Sequence, residues 1–120
     1  MKTLVVSIKS PADGDLVILE YSSARGGVTS AKHKIKGDHK LPKEQTDGTW
    51  ILEDAPGDTP RGIATKLAES IQKDWMPEAF EARVNDAGNV IIGCTGLVQD
   101  VKFKSVVEGD GGTTVEITEF

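Results

Sequence analysis

The sequence predicts an α+β domain, in which a mainly antiparallel, β-sandwich-like sheet carries one amphipathic α-helix packed on it. Strand-like segments occur in a run before the helical segment and again in a run after it. Parallel units would instead alternate strands with helices along the chain. Hydrophobic residues make up 38% of the sequence but aromatic residues only 5%, which predicts a mostly aliphatic core. A length of 120 residues is typical of one domain, so we assign residues 1–120 to a single domain.

The first two strands are predicted from alternating apolar residues. Residues 3–9 alternate and are rich in β-branched side chains, and a Pro-Ala-Asp-Gly turn follows them. Residues 15–23 form a second alternating run, in which Val17, Leu19 and Tyr21 share one face. We expect this face to lie against the core.

Two further strands are predicted before the helix, separated by a loop. Residues 28–36 show a polar alternation typical of an extended strand. This strand would complete a long hairpin as its second, solvated strand. Residues 37–48 are polar, contain Pro42 and show no period, which predicts an exposed loop. A short strand at residues 49–53 follows.

The helix is predicted over residues 60–75 by its own start and stop signals. Asp58 or Thr59 can cap the free amides, Pro60 suits the first helical position, and Pro77 ends the segment. Its apolar stripe recurs every four residues beside small alanines, and consists of Ile63, Ala64, Leu67, Ala68, Ile71 and Trp75. Such a stripe lets a helix lie close across one face of a sheet.

Four strands are predicted after the helix. Residues 80–84 and 90–94 alternate around an Asp-Ala-Gly-Asn turn and form the clearest hairpin in the chain. A final pair of strands, residues 101–107 and 114–117, is joined by a glycine-rich segment. The predicted order is therefore four strands, the helix and four strands.

Composition argues against nucleic-acid and membrane partners. The net charge is −5, and the basic residues do not cluster among aromatics as phosphate binding requires. The one basic stretch, residues 32–36, is typical of the solvated face of a strand. The N-terminus lacks the apolar region of a signal peptide, and no apolar run reaches membrane-spanning length. We expect a protein made in the cytoplasm without a signal peptide or transmembrane segment.

Metal and cofactor templates are weak in this sequence. Cys94 is the only cysteine, lies in an apolar run and is expected to be structural. His33 and His39 are the only histidines, whereas a zinc site needs three or four ligands at suitable spacing. The acidic segments 53–58 and 110–113 could supply oxygen ligands, but turn chemistry explains them as well. We predict no metal site and no cofactor.

Catalytic templates are equally weak. The sequence has no Gly-x-Ser-x-Gly motif, and residues 25–27 lack the ending of a phosphate-binding loop. The sequence does not exclude a catalytic pair of carboxylates across a cleft, because it contains nineteen acidic residues. We predict no catalytic residue and a non-enzymatic role, with a small hydrolase or lytic enzyme as a remote alternative.

A composite pattern spans residues 58–115. Asp-Thr-Pro leads into Ile-Ala-x-x-Leu-Ala-x-x-Ile at residues 63–71, then Phe-x-Ala at 80–82, Gly-Asn-Val-Ile-Ile at 88–92 and Gly-Asp-Gly-Gly-Thr at 109–113. It resembles the β-hairpin/helix/β-hairpin module of tailed-bacteriophage tail structural proteins. Similar stretches occur in the tail-nozzle (tail tubular) proteins of short-tailed phages and in the inserted domain of contractile tail-sheath proteins.

The resemblance implies a virion building block of the tail, neck or baseplate. It implies other phage structural proteins and copies of the same chain as partners, and it carries no catalytic residues. The first half of the chain departs from the pattern, because residues 15–21 fit the leading hairpin but residues 32–48 have no counterpart.

Such a module would present sheet edges, faces and loops to its neighbours. The interface candidates are Tyr21, Arg25, Trp50, Ile51, Val115, Ile117 and Phe120, together with the tip at residues 25–27 and the loop at residues 36–48. A C-terminal strand that ends on a phenylalanine is a natural donor to a neighbouring sheet edge. The alternative function is a receptor- or carbohydrate-binding domain that uses the loops around Trp50 and Arg25.

Overall fold

The computed structural model describes residues 2–24, 26–97 and 100–120. Over these residues it has nine strands and one helix, and every strand pair is antiparallel. The elements are β1 (Lys2–Lys9), β2 (Leu16–Ser22), β3 (Val28–Lys34), β4 (His39–Glu44), β5 (Trp50–Ala55), α1 (Pro60–Asp74), β6 (Phe80–Val84), β7 (Val90–Cys94), β8 (Lys102–Glu108) and β9 (Thr114–Glu119). The predicted α+β class, with antiparallel sheets and a helix packed on them, is confirmed.

The strands form three sheets in the described part of the chain. A four-stranded sheet has the order β6-β7-β1-β9, and a three-stranded sheet has the order β3-β2-β8. β4 and β5 make a two-stranded sheet of their own. The predicted hairpins β2–β3 and β6–β7 are both confirmed.

Helix α1 begins and ends where its sequence signals predict. The Thr59 hydroxyl accepts a hydrogen bond from the Gly62 amide at 3.0 Å, and Pro60 opens the first turn. The Trp75 amide donates to the Ile71 carbonyl at 2.9 Å before the chain turns extended. The whole predicted stripe is buried, and α1 contacts strands of both large sheets. One aliphatic core therefore joins the helix to both sheets.

An aromatic cluster closes the end of this core beneath the last turn of α1. The Trp75 ring centroid lies 4.7 Å from that of Tyr21 and 5.2 Å from that of Phe80. Phe103 of β8 stacks on Trp75 at 6.4 Å. Edge-to-face and stacked aromatic contacts add to the stabilisation that area burial gives. The cluster links the helix end to β2, β6 and β8.

Two sequence predictions were wrong about the strands. The segment predicted as an exposed loop contains strand β4, which pairs with β5 from His39↔Ala55 to Glu44↔Trp50. β4 is solvated on both faces, so it has no alternating burial to mark it in the sequence. The last two strands are not a pair, because β8 pairs with β2 and β9 pairs with β1.

The molecule is elongated because the β4–β5 hairpin projects from the core. Its principal extents are 61 × 28 × 28 Å, and its radius of gyration is 17.2 Å. A compact domain of this length would have a radius of gyration of about 14 Å. We call residues 39–55 the arm.

Candidate interface site

The tip of the arm is an ordered turn. The Gly48 amide donates to the Gln45 carbonyl at 3.0 Å, the Gln45 amide donates to the Thr49 carbonyl at 2.6 Å, and Gly48 has a φ of 85°. This is the geometry of a three-residue hairpin loop with glycine in the left-handed position. The hydroxyl and the amide of Thr49 both donate to the Asp47 carboxylate and lower its pKa.

The arm exposes large apolar side chains on both of its faces. Leu41 is 50% exposed, Trp50 64%, Ile51 45% and Leu52 66%. The strand register places Trp50 and Leu52 on one face with Pro42, and Leu41 and Ile51 on the other. Clustered exposed apolar residues mark interaction surfaces in soluble proteins. The arm is therefore the strongest interface candidate among the described residues.

Four charged side chains of the arm form two ion pairs. Lys40 forms an ion pair with Asp54, and the Lys43 amine lies 3.3 Å from the Glu53 carboxylate. One pair lies on each face: Lys40 and Asp54 are directly opposite each other, whereas Lys43 and Glu53 are diagonal neighbours across the two strands. Exposed pairs such as these contribute little to stability. They leave the apolar side chains as the groups with most to gain from a partner.

Carboxylates fix the base of the arm at the point where the chain leaves and re-enters the core. The Gly37 amide donates to Asp13 at 2.7 Å, and the Gly57 amide donates to Asp38 at 2.8 Å. A side chain at Gly57 would collide with the backbone of Gly37 and Lys36. The two segments can cross this closely only because Gly57 has no side chain.

Asp58 adds a third carboxylate at this crossing. It accepts hydrogen bonds from the Lys36 amide at 2.8 Å and from the His33 imidazole, whose Nε2 lies 3.0 Å away. Partial burial acts to raise the pKa of Asp58, but the Lys36 amide and the His33 ring outweigh it and lower the pKa. The base of the arm is thus held by side-chain to backbone bonds from three aspartates.

Replacing Gly57 with alanine is expected to destabilise the protein by about 1–3 kcal/mol, because the new methyl group forces the two crossing segments apart. Urea unfolding followed by far-UV circular dichroism measures this loss. Gly93→Ala is the matched control, since the nearest atom to its added Cβ is 4.0 Å away. Equal effects of the two substitutions would show that the crossing is not tight.

The glycine-rich segment before β9 wraps around a buried carboxylate. Asp15 is 2% exposed and accepts hydrogen bonds from the Gly111 amide at 3.0 Å and the Thr113 amide at 3.2 Å. The Thr113 hydroxyl and the Gly111 amide lower the pKa of Asp15. These contacts anchor the segment between β8 and β9 to the start of β2, and they explain the acidic segment 110–113 as a structural turn.

Asp15 is expected to make folding sensitive to acid. Its pKa in the folded chain lies below the ordinary 3.8, so its contribution is complete above the unfolded pKa and is lost as pH falls through the folded pKa. Unfolding free energies measured between about pH 5 and pH 2 should therefore fall less steeply for Asp15→Asn than for wild type. Asp110→Asn, exposed in the same turn, is the control. An Asp15→Asn protein with the full wild-type slope would contradict this assignment.

The other sequence-predicted interface residues lie away from the arm. Tyr21 is half-buried in the aromatic cluster, so it completes the core, and Arg25 lies outside the described residues. Val115 and Ile117 are half-buried on β9 and pack against the core. Phe120 is 75% exposed, but its amide donates to the Thr3 carbonyl at 2.8 Å, so β1 already pairs with this terminal strand.

The arm therefore contains two of the predicted candidates, Trp50 and Ile51, and two residues that the sequence analysis did not single out, Leu52 and Leu41, of which Leu41 lies in the predicted loop at residues 36–48. Leu52 directly continues the run of Trp50 and Ile51 in the sequence, and this adjacency was an available signal. Leu41 stands alone among polar residues, and only its pairing with β5 reveals its place.

The described part of the chain contains no group of three His, Cys, Asp or Glu side chains placed to hold a metal ion. Cys94 is buried, and burial raises the pKa of its thiol. No helix in the described part of the chain has the length and apolar character needed to cross a membrane.

Comparison with family models, with curated proteins and with solved structures finds no match to this chain.

Proposed function

We propose that this chain is a non-enzymatic structural protein of a tailed-bacteriophage virion, a tail, neck or baseplate component that acts by protein–protein assembly. The observation that carries the proposal is the arm, an ordered hairpin with exposed apolar side chains on both faces and a fixed base. The resemblance of residues 58–115 to phage tail modules supplies the biological setting.

The energetics of the arm favour a role in association. An isolated two-stranded hairpin is only marginally stable in water. Trp50 and Leu52 are each about two-thirds exposed, so most of their apolar surface gives no stabilisation within the monomer. Covering apolar surface contributes about 25 cal/mol per Å². A neighbour that covers these side chains would supply the stabilisation that the monomer lacks.

Negative-stain electron microscopy and sedimentation velocity of the purified protein, at low and high concentration, test the proposal. We expect defined oligomers, rings or tubes, or binding to a ring-forming phage structural protein in pull-down experiments. A protein that is monomeric at every concentration and captures no phage structural protein would contradict the proposal.

Trp50 also gives a specific reason to test the alternative, a carbohydrate-binding domain. An indole that is 64% exposed on a projecting arm is available for stacking on a sugar ring. Glycan-array binding that disappears in Trp50→Ala, from a protein that stays monomeric, would favour this alternative over assembly.

A further inference from the structure

The two edges of the arm differ in their capacity to pair with another strand. The hydrogen bond from the Gln45 amide to the Thr49 carbonyl sets the alternation of the ladder. With the observed register, Lys43↔Ile51 and Leu41↔Glu53 are hydrogen-bonded pairs, in which the two backbones bond to each other within the arm. The residues between them direct their backbone groups outward, and these are Lys40, Pro42 and Glu44 on β4, and Trp50, Leu52 and Asp54 on β5.

The outer edge of β4 is protected. Pro42 lies at the middle outward position and has no amide hydrogen to donate. Lys40 and Lys43 flank it, and lysine and proline are the residues that natural sheets use to prevent edge-to-edge pairing.

The outer edge of β5 lacks this protection. Its three outward residues each offer an amide donor and a carbonyl acceptor, and the sequence Trp-Ile-Leu-Glu-Asp contains neither proline nor lysine. No other strand in the described part of the chain pairs with this edge. An open edge of this composition is a template for another strand.

We propose that β5 of one chain pairs antiparallel with β5 of a second copy, so that two arms form one four-stranded sheet about a two-fold axis. This inference rests on the proposed assembly function and names the partner of the arm.

Side-chain complementarity selects both the partner and the register. In an antiparallel ladder, outward residues pair with outward residues, so Trp50 can lie opposite Leu52 of the second copy. The two-fold axis then passes at Ile51, which lies opposite its own counterpart. Both faces of the junction pair apolar with apolar side chains, and such cross-strand pairs are stabilising.

The acidic end of β5 agrees with the same register. Glu53 would lie opposite Thr49 of the second copy and Asp54 opposite Gly48, so the register places no two carboxylates opposite each other. A register centred on Leu52 would place Asp54 opposite Trp50, and one centred on Glu53 would oppose two carboxylates. Opposed like charges are destabilising. A two-fold junction centred on Ile51 is therefore the self-pairing that these side chains favour.

The junction is small, which sets the expected strength of pairing. One strand pair covers much less than the roughly 800 Å² per partner that stable interfaces bury. We therefore expect weak, concentration-dependent dimers in dilute solution, strengthened where other contacts of an assembly hold the copies together.

Disulfide trapping tests the register. In Ile51→Cys, the introduced thiol would meet its own counterpart in a non-hydrogen-bonded pair, whose Cα atoms lie about 4.5 Å apart. This separation is within the disulfide range of roughly 4.4–6.8 Å. Leu41→Cys is the matched control, because Leu41 shares the face of Ile51 and is 50% exposed against 45%, but belongs to the protected strand. Both variants are made in a Cys94→Ala background and repeated with Cys94 present.

Under mild oxidation, we expect Ile51→Cys to give a covalent dimer on a non-reducing gel and Leu41→Cys to stay monomeric. Adding Leu52→Pro to Ile51→Cys should abolish the dimer, since it places a proline at an outward position of β5, as Pro42 does on β4. Circular dichroism and thermal unfolding verify that each variant is folded.

The outcomes separate this inference from the proposed function. Equal trapping of Ile51→Cys and Leu41→Cys, or trapping that survives Leu52→Pro, would overturn pairing through the β5 edge. Wild-type assemblies in the electron microscope without trapping of Ile51→Cys would overturn self-pairing and leave the assembly function supported. Absence of assemblies, of capture of phage structural proteins and of trapping would overturn both.

Discussion

Replacing Trp75 with alanine is expected to lower the free energy of unfolding by about 3–5 kcal/mol. Trp75 is 2% exposed at the end of α1, where its ring contacts those of Tyr21 and Phe80. Its removal leaves a cavity at the junction of the helix with both large sheets. Urea unfolding followed by far-UV circular dichroism gives the loss.

Trp75→Phe should cost less than Trp75→Ala. The indole Nε1 of Trp75 is buried and has no hydrogen-bond acceptor among the described residues. Phenylalanine keeps the aromatic contacts and removes this unsatisfied donor, whose burial costs on the order of 1–3 kcal/mol. Met76→Ala is the control, because Met76 is 45% exposed and should change stability by no more than about 0.5 kcal/mol. A Trp75→Ala protein as stable as this control would show that the cluster does not support the core.

The elements that the sequence predicted well are those with local signals. Helix α1 has its cap at Thr59, its first-turn Pro60 and a continuous apolar stripe, so neighbouring residues determine where it begins and what it buries. The β6–β7 hairpin combines period-2 burial with a Gly-containing turn, and it too needs no distant information.

The features that the sequence could not predict depend on distant partners. β8 and β9 pair with the distant strands β2 and β1, and the segment between them is held by Asp15, far away in the sequence, which accepts hydrogen bonds from the amides of Gly111 and Thr113. β4 has water on both faces, and its strand character comes from pairing with β5 alone, so its composition is that of a loop.

The candidate site shows the same division. Trp50 and Ile51 are unusual in the sequence as large apolar residues beside a polar segment, and both lie on the arm. For Tyr21 the sequence predicts both a core-facing position and an interface role, and the Trp75 and Phe80 rings cover it, which agrees with the core-facing position. Exposure of an aromatic residue thus depends on tertiary packing, and sequence alone proposes more interface residues than the fold leaves accessible.

Substituting serine for both Trp50 and Leu52 is expected to weaken assembly by at least about 100-fold, because each removes an aromatic or aliphatic anchor worth about 1–2 kcal/mol or more at an interface. Both side chains are about two-thirds exposed in the monomer, so we expect the free energy of unfolding to change by no more than about 0.5 kcal/mol. Sedimentation velocity over a concentration series measures the association constant, and urea unfolding measures stability.

The double substitution Val28→Ser and Met76→Ser is the matched control, since these residues are 65% and 45% exposed and lie outside the arm. It removes exposed apolar side chains elsewhere on the molecule, so a general loss of hydrophobicity would weaken association in both proteins. Unchanged association of the Trp50 and Leu52 variant would exclude this face of the arm from the interface. A parallel loss of stability and association would instead mean that the arm supports the fold of its own chain. Only a loss of association at constant stability agrees with an arm whose partner is another chain.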